Sequence, residues 1–132
     1  MTPIVGKPEY HKKTWGYELW LANRLEYCGK ILHVKNHRHT SMHYHLKKDE
    51  TFYVLKGRVI IALRDKNAND TDIELIEGDS LHIPAGQMHQ IIGIDDSDLI
   101  EVSTTHDEED SYRVTRSSPE EAEIKVDSPF AL

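Results

Sequence analysis

The segment Ser41-Met-His-Tyr-His-Leu-Lys-Lys-Asp-Glu-Thr-Phe-Tyr-Val-Leu-Lys-Gly57 decides the fold of this chain. His43 and His45 are two residues apart, so a β-strand places both imidazoles on one face. Glu50 follows with the wrong parity for the same uninterrupted strand, and the polar run at 47–49 therefore predicts a corner. The strand predicted after it is rich in β-branched and aromatic residues. Two imidazoles and a carboxylate on neighbouring strands could converge, and such donors suit a divalent transition metal.

A second segment supports this interpretation, because the His-x-His pair alone is not specific. The chain contains nine His, and a pair exposed on a strand is a simple alternative. The second segment is Gly78-Asp-Ser-Leu-His-Ile-Pro-Ala-Gly-Gln-Met-His89. It combines a turn Gly, a short apolar run, a Pro-Ala-Gly turn and a further His.

Together, the two segments resemble the paired motifs of the cupin family. The first motif falls on His43, His45, Glu50 and Gly57, and the second on Gly78, Pro84, Gly86 and His89. The resemblance covers at least residues 27–105. It implies an all-β fold, a double-stranded β-helix (jelly-roll) barrel, with one metal ion bound by His43, His45, Glu50 and His89. His37 and Gly93 stand where the family usually has Gly and Asn, which bears on loop shape more than on metal binding.

Length and composition indicate one domain that does not bind nucleic acid. The chain has 132 residues and a formal net charge of −7, so it lacks the basic footprint of a nucleic-acid-binding protein. Its longest apolar runs, such as 59–63, are far too short to span a bilayer. The N-terminal segment lacks the apolar region of a signal peptide, and the single Cys excludes an internal disulfide. We therefore expect a soluble cytoplasmic protein.

The pattern along the chain predicts many short strands and no helix. We expect an N-terminal arm at 1–13, the barrel at 14–116 and a C-terminal tail at 117–132, loosely ordered or packed on a neighbouring chain. A tight hairpin turn is predicted at Lys56-Gly57. The predicted strands are 14–22, 27–35, 41–46, 50–56, 58–65, 72–77, 80–84, 89–93, 99–105 and 111–115.

A narrower resemblance extends to the flanks of the motifs. Residues 13–18, Lys-Thr-Trp-Gly-Tyr-Glu, are similar to the opening of the cupin domain of type II mannose-6-phosphate isomerases. Residues 41–45 fall where that family has Ser-Leu-Gln-Met-His, so His43 replaces a Gln. Ile100-Glu-Val-Ser103 looks like its Ile-Glu-Val-Gln string. This resemblance implies an enzyme that isomerises a sugar or sugar phosphate.

Six further residues are candidates for catalysis or substrate binding, each with a structural alternative. Glu101 is the candidate general base and Lys30 a cation inside the cavity, although both could face solvent. Tyr27, Tyr53 and Ser103 are candidate substrate contacts, with core packing the alternative for the two tyrosines. Arg113 could bind a phosphate or form a salt bridge with the acidic cluster at 107–110. Three other residues, His37, His39 and His106, are expected to be solvated, and Cys28 to be a small core residue.

The expected cofactor is one divalent transition metal, and the donor types do not choose among Mn, Fe, Ni and Zn. The expected partner is a small molecule, a sugar or sugar phosphate, and a chain of this size is expected to form a homodimer. An iron-dependent dioxygenase and a sugar-binding cupin without activity are the alternative functions.

Overall fold

The computed structural model describes residues 2–118 and contains eleven β-strands and one short 3-10 turn, Glu108–Asp110. No α-helix occurs among these residues, and none of their helical segments is long and apolar enough to cross a membrane. The strands are β1 Glu9–Lys13, β2 Gly16–Asn23, β3 Cys28–Val34, β4 His43–Tyr44, β5 Glu50–Lys56, β6 Arg58–Arg64, β7 Asp70–Ile76, β8 Ser80–Ile83, β9 Met88–Gly93, β10 Ser97–Ser103 and β11 Tyr112–Arg113.

The strands form two antiparallel sheets that pack around one apolar core. The first sheet has the order β1-β2-β3-β10-β5-β8, and the second has the order β11-β4-β9-β6-β7. Both sheets contribute to the core, which includes Leu32, Val54 and Leu99 from the first sheet and Ile61 and Ile91 from the second. Two facing antiparallel sheets with strands that cross between them form the double-stranded β-helix, so the predicted fold class is confirmed.

Burial alternates along β3. Cys28, Lys30, Leu32 and Val34 are all buried, while the residues between them are only partly buried. The inner face of β3 therefore carries a cation among apolar side chains. Its register places Lys30 beside Trp20 of β2 and Glu101 of β10.

The link between β5 and β6 is not the predicted hairpin. The two strands lie in different sheets, so Gly57 marks a crossover from one sheet to the other. A tight turn requires a residue with positive φ here, and Gly57 has a φ of 91°. The turn residue was recognised correctly, but neighbouring strands in sequence were wrongly taken as neighbours in one sheet.

Two other differences concern the ends of the chain. Glu9–Lys13, within the segment expected to be an arm, forms β1 and pairs with β2 along its whole length. Most of the expected tail, 119–132, lies outside the described residues. Ser118, just before that part, is buried, and its side chain accepts a hydrogen bond from the His39 N–H at 2.7 Å.

Two glycines with the same backbone conformation allow the crossover to be tested. Gly57 and Gly78 both have a φ of 91°, but only at Gly57 would an added Cβ overlap the Ser97 side chain and the Asp96 carbonyl. We expect Gly78→Ala to reduce the free energy of unfolding by about 1 kcal/mol through backbone strain. Gly57→Ala should cost about 1–3 kcal/mol more, because overpacking adds to the same strain. Urea denaturation of both variants measures the difference, and equal losses would contradict this account of the crossover.

Candidate metal centre

The four side chains predicted to bind metal converge at one buried place between the two sheets. His43 on β4 pairs directly with His89 on β9, and ligand atoms of His43, His45 and His89 lie within 4.8 Å of one another. Glu50, the first residue of β5, comes from the other sheet. Its Oε2 lies 3.0 Å from Nε2 of His89 and 3.5 Å from Nε2 of His45. The corner at 47–49 brings the carboxylate beside the imidazoles despite its different parity.

Main-chain carbonyl groups determine which nitrogen of each imidazole carries the proton. A carbonyl oxygen can only accept a hydrogen bond, so the nitrogen bound to it must be protonated. The neutral ring then has its lone pair on Nε2. The three contacts are His43 Nδ1 to the Ser41 carbonyl at 2.8 Å, His45 Nδ1 to the Asp110 carbonyl at 3.0 Å, and His89 Nδ1 to the Gln87 carbonyl at 2.9 Å.

The resulting centre brings together nitrogen and oxygen atoms that can donate electron pairs to a metal ion. Glu50 Oε2 and His89 Nε2 are both buried and have no hydrogen-bond partner in the described part of the chain, although they lie 3.0 Å apart. Burial lowers the pKa of His43 to about 3 and also lowers the pKa of His45. Neutral imidazoles beside a carboxylate fit a divalent transition metal ion.

Asp110 holds the corner that carries His45 and leads to Glu50. Its carbonyl fixes the His45 ring, and its carboxylate accepts hydrogen bonds from the backbone N–H groups of Leu46, Lys47 and Lys48 at 2.9–3.2 Å. Burial raises the pKa of Asp110, but these three N–H groups outweigh it and keep that pKa below its usual value. A single residue from the predicted acidic cluster thus fixes the geometry of the centre.

The centre opens into a cavity of about 600 Å³. Glu101 and Lys30, the two candidate catalytic residues, both line this cavity. Both are buried, with 3% of Glu101 and 2% of Lys30 exposed. Ser103 donates a hydrogen bond to Glu101 Oε2 at 3.2 Å. Arg113 lines the cavity from an exposed position and forms no ion pair with the 107–110 cluster in the part of the chain that the structure describes. The cavity therefore holds a cation and a carboxylate in addition to the metal-ligand set.

Lys48 is the functional residue that the sequence pattern missed. Its Nζ lies 2.6 Å from Glu101 Oε2 and 3.6 Å from Glu50 Oε1, and it donates to His106 Nδ1 at 3.2 Å. Burial lowers the pKa of Lys48, but the two carboxylates outweigh it and raise that pKa. The run at 47–49 was interpreted only as a polar corner. The 4% exposure of Lys48 depends on the corner turning inward, which no local pattern indicates.

Several of the sequence-predicted positions lie elsewhere. Tyr27 and Tyr53 are exposed and outside the cavity lining. Tyr27 lies just before β3, and Tyr53 lies between the inward-facing Phe52 and Val54 of β5. His106 is not solvated as expected, since it lines the cavity and its Nε2 contacts Glu108 at 3.1 Å. His37 is exposed with a φ of 63°, His39 is partly buried, and Cys28 is a buried core residue.

Comparison with known proteins identifies the family and the fold. A sequence model of the Cupin domain matches residues 30–104, more than half of the chain. No curated protein sequence matches. A tryptophan-to-tyrosine variant of oxalate decarboxylase from Bacillus subtilis superimposes with a TM-score of 0.72 and 16% identity over 86% of this chain and 34% of that one. The structure of the same enzyme at pH 4.6 superimposes with a TM-score of 0.71 and 14% identity, over 86% of this chain and 33% of that one.

This chain thus spans about one third of the length of the solved structures that it matches. Another of these structures comes from work on the Mn(II) centres of Bacillus subtilis oxalate decarboxylase. It superimposes with a TM-score of 0.72 and 15% identity, over 86% of this chain and 34% of that one. At such identities the likeness shows the fold alone.

The first prediction for the centre concerns Asp110. Asp110→Ala removes the acceptor of three backbone N–H groups, so the corner at 46–48 should shift and carry His45 out of position. We expect metal affinity to fall by about 10- to 100-fold, as for other residues that orient metal ligands. Calorimetric titration with Zn²⁺ measures the change. Glu109→Ala, an exposed neighbour in the same turn, serves as the control. Equal affinities of the two variants would contradict the role given to Asp110.

The second prediction concerns pH and the metal-free protein. The pKa of His43 is lowered to about 3 in the folded state, whereas in the unfolded chain it is about 6.5. Below pH 6.5 the unfolded state therefore binds more protons, and the free energy of unfolding should fall steadily as the pH decreases toward 3. His43→Gln, which removes the titrating ring, should reduce this slope. Chemical denaturation at several pH values measures it, and a wild-type stability that stays constant between pH 7 and pH 4 would be inconsistent with neutral, buried imidazoles.

Proposed function

This chain belongs to the cupin family, and on that premise we propose that it is a metal-dependent enzyme that interconverts an aldose and a ketose, either free or as the phosphate ester. The observation that carries the proposal is the position of Glu101. Its carboxylate lines the same cavity as the donor set of three imidazoles and Glu50. Isomerisation needs a base that reaches a carbon-bound proton close to an electrophilic centre, and the two groups share one cavity.

The residues of the chain would divide the reaction between them. A bound divalent ion supplies a Lewis acid that stabilises negative charge developing on the substrate oxygens. Glu101 takes a proton from the carbon beside the carbonyl and returns it to the neighbouring carbon. Lys48 and Ser103 hold the Glu101 carboxylate in place through contacts of 2.6 and 3.2 Å. The buried walls, such as Phe52 and Ile91, keep bulk water away from the reacting carbons.

Substitution of the base and of a ligand tests this division. Glu101→Gln should retain the metal, because Glu101 is outside the ligand set, and should lower the rate by about 10²- to 10⁴-fold. His45→Ala should lose metal and activity together. Metal analysis and an assay of aldoses, ketoses and sugar phosphates with Mn, Fe, Ni or Zn measure both effects. Incorporation of solvent deuterium at the carbon beside the carbonyl would support proton transfer. Glu26→Gln, on an exposed loop, is the control.

The outcome also separates the alternative functions. Full activity of Glu101→Gln would remove this residue from the role of base. Oxygen consumption by the iron-loaded protein would favour a dioxygenase, which accepts the same donor set. Tight sugar binding without turnover under any of the four metals would favour a binding protein.

We also propose that the protein is a homodimer in which the N-terminal strand contributes to the interface. The outer face of the six-stranded sheet carries one apolar row in register, formed by Tyr10, Leu19, Ile31, Ile100 and Tyr53. Tyr10 is 60% exposed and Tyr53 39%. A chain of this size buries a limited share of its surface alone, and a second copy could cover this row.

Light scattering at micromolar concentration tests the assembly. The wild-type protein should have the mass of a dimer, and Tyr10→Lys should shift it toward the monomer because the charge would be buried in the interface. Ile76→Lys changes a similarly exposed apolar side chain on β7 of the other sheet and should leave the dimer intact. A wild-type monomer, or the same response to both substitutions, would contradict the proposed interface.

A further inference from the structure

Lys30 carries a buried ammonium group that lacks hydrogen bonds. The residue is 2% exposed and lines the cavity. Its Nζ lies 3.6 Å from Glu18 Oε1 and 4.3 Å from the centre of the Trp20 ring, and it makes no hydrogen bond to any residue that the structure describes. An ammonium has three N–H donors, and none of those of Lys30 is used by a described residue. These donors are available to a molecule in the cavity.

Glu18 places an unused acceptor beside these donors. Its Oε1 accepts a hydrogen bond from Trp20 Nε1 at 2.8 Å, whereas Oε2 has no partner within residues 2–118. Burial raises the pKa of Glu18, but Lys30 and the hydrogen bond from Trp20 outweigh it and lower that pKa. The group is therefore an ionised carboxylate, and Lys30 and Glu18 together offer donors and an acceptor at one point of the cavity wall.

The strand register places this pair next to the proposed base. Lys30 is the direct cross-strand neighbour of Glu101, and Trp20 is its neighbour on the other side. Side chains paired in this way have Cβ atoms about 4.5–5.5 Å apart on one face of the sheet. Glu50 lies on β5, beyond β10, so the pair sits on the far side of Glu101 from the metal-ligand set. A substrate that reaches both would pass over Glu101.

We infer that Lys30 and Glu18 bind a hydroxyl group of a neutral polyol, at the end of the substrate remote from the metal centre. A hydroxyl both accepts and donates a hydrogen bond, so it satisfies the ammonium and the carboxylate at once. A phosphate or carboxylate group fits less well, because Glu18 already neutralises Lys30 and would repel a second anion at the same point. This inference rests on the proposed function and places a hydroxyl of the sugar, rather than a phosphate group, beside Lys30.

Calorimetric titration of the zinc-loaded protein tests the inference with two probes, xylitol and inorganic phosphate. Xylitol should bind, and both Lys30→Met and Glu18→Gln should weaken it by about 10- to 100-fold, because each removes a hydrogen bond to a charged group. Phosphate should show no binding that depends on Lys30. Lys35→Met and Glu26→Gln, both exposed, are the matched controls. The double variant Lys30→Met/Glu18→Gln leaves no unpaired charge in the core and serves if Lys30→Met does not fold.

The sign of the Glu18→Gln effect separates the two ligand classes. Removal of the carboxylate should weaken a polyol but strengthen a bound anion. Phosphate that binds more tightly to Glu18→Gln and is lost from Lys30→Met would overturn the inference. Unchanged xylitol affinity in the variants, or no xylitol binding to the wild type, would overturn it as well. Xylitol binding that depends on the pair, without turnover of any sugar, would uphold the inference and reject the isomerase.

Discussion

Mutual repulsion among buried electron pairs is the constraint on which the site depends. Three imidazoles have their Nδ1–H groups bound to carbonyl oxygens, so their Nε2 lone pairs face inward beside the Glu50 carboxylate. The carboxylate oxygen and the nearest imidazole nitrogen are both buried, and neither forms a hydrogen bond within the described residues. Such an arrangement is unfavourable by itself and persists only because the sheets, the β4–β9 pairing and the Asp110 corner impose it. A divalent cation between these groups would replace their mutual repulsion with attraction of each group to the ion.

Buried charged side chains also lie next to the metal-ligand set. Lys48 lies between Glu50 and Glu101 and contacts both, so the metal centre and the proposed base share one counter-ion. Lys30 and Glu18 form the next pair along the wall. Four further charged side chains, Lys12, Lys13, Arg113 and Glu108, line the same cavity nearer its mouth. A divalent ion at the ligand set would add positive charge to this field and change what a substrate meets there.

The sequence predicted the ligands, left Lys30 open between the cavity and the solvent, and missed the residues that connect them. His43 and His45 follow from strand parity and the paired motifs, whereas the inward direction of Lys30 became clear only from the burial along β3. Lys48 and His106 could not be predicted in this way, because they reach the cavity through loops whose path depends on hydrogen bonds to Asp110 and on contacts far apart in the chain. For the same reason the Lys56-Gly57 turn was recognised but its strands were assigned to one sheet.

The protonation state of the three imidazoles in the metal-free protein tests the account most directly. Long-range ¹H–¹⁵N correlation NMR at pH 7 distinguishes the two neutral tautomers from the protonated ring for each His. The account predicts that His43, His45 and His89 are all neutral with the proton on Nδ1, and that Zn²⁺ shifts their Nε2 resonances together in a ratio of one ion per chain. Nε2–H tautomers, or protonated rings at this pH, would contradict it, because the cavity would then contain no preformed set of donors for a metal ion.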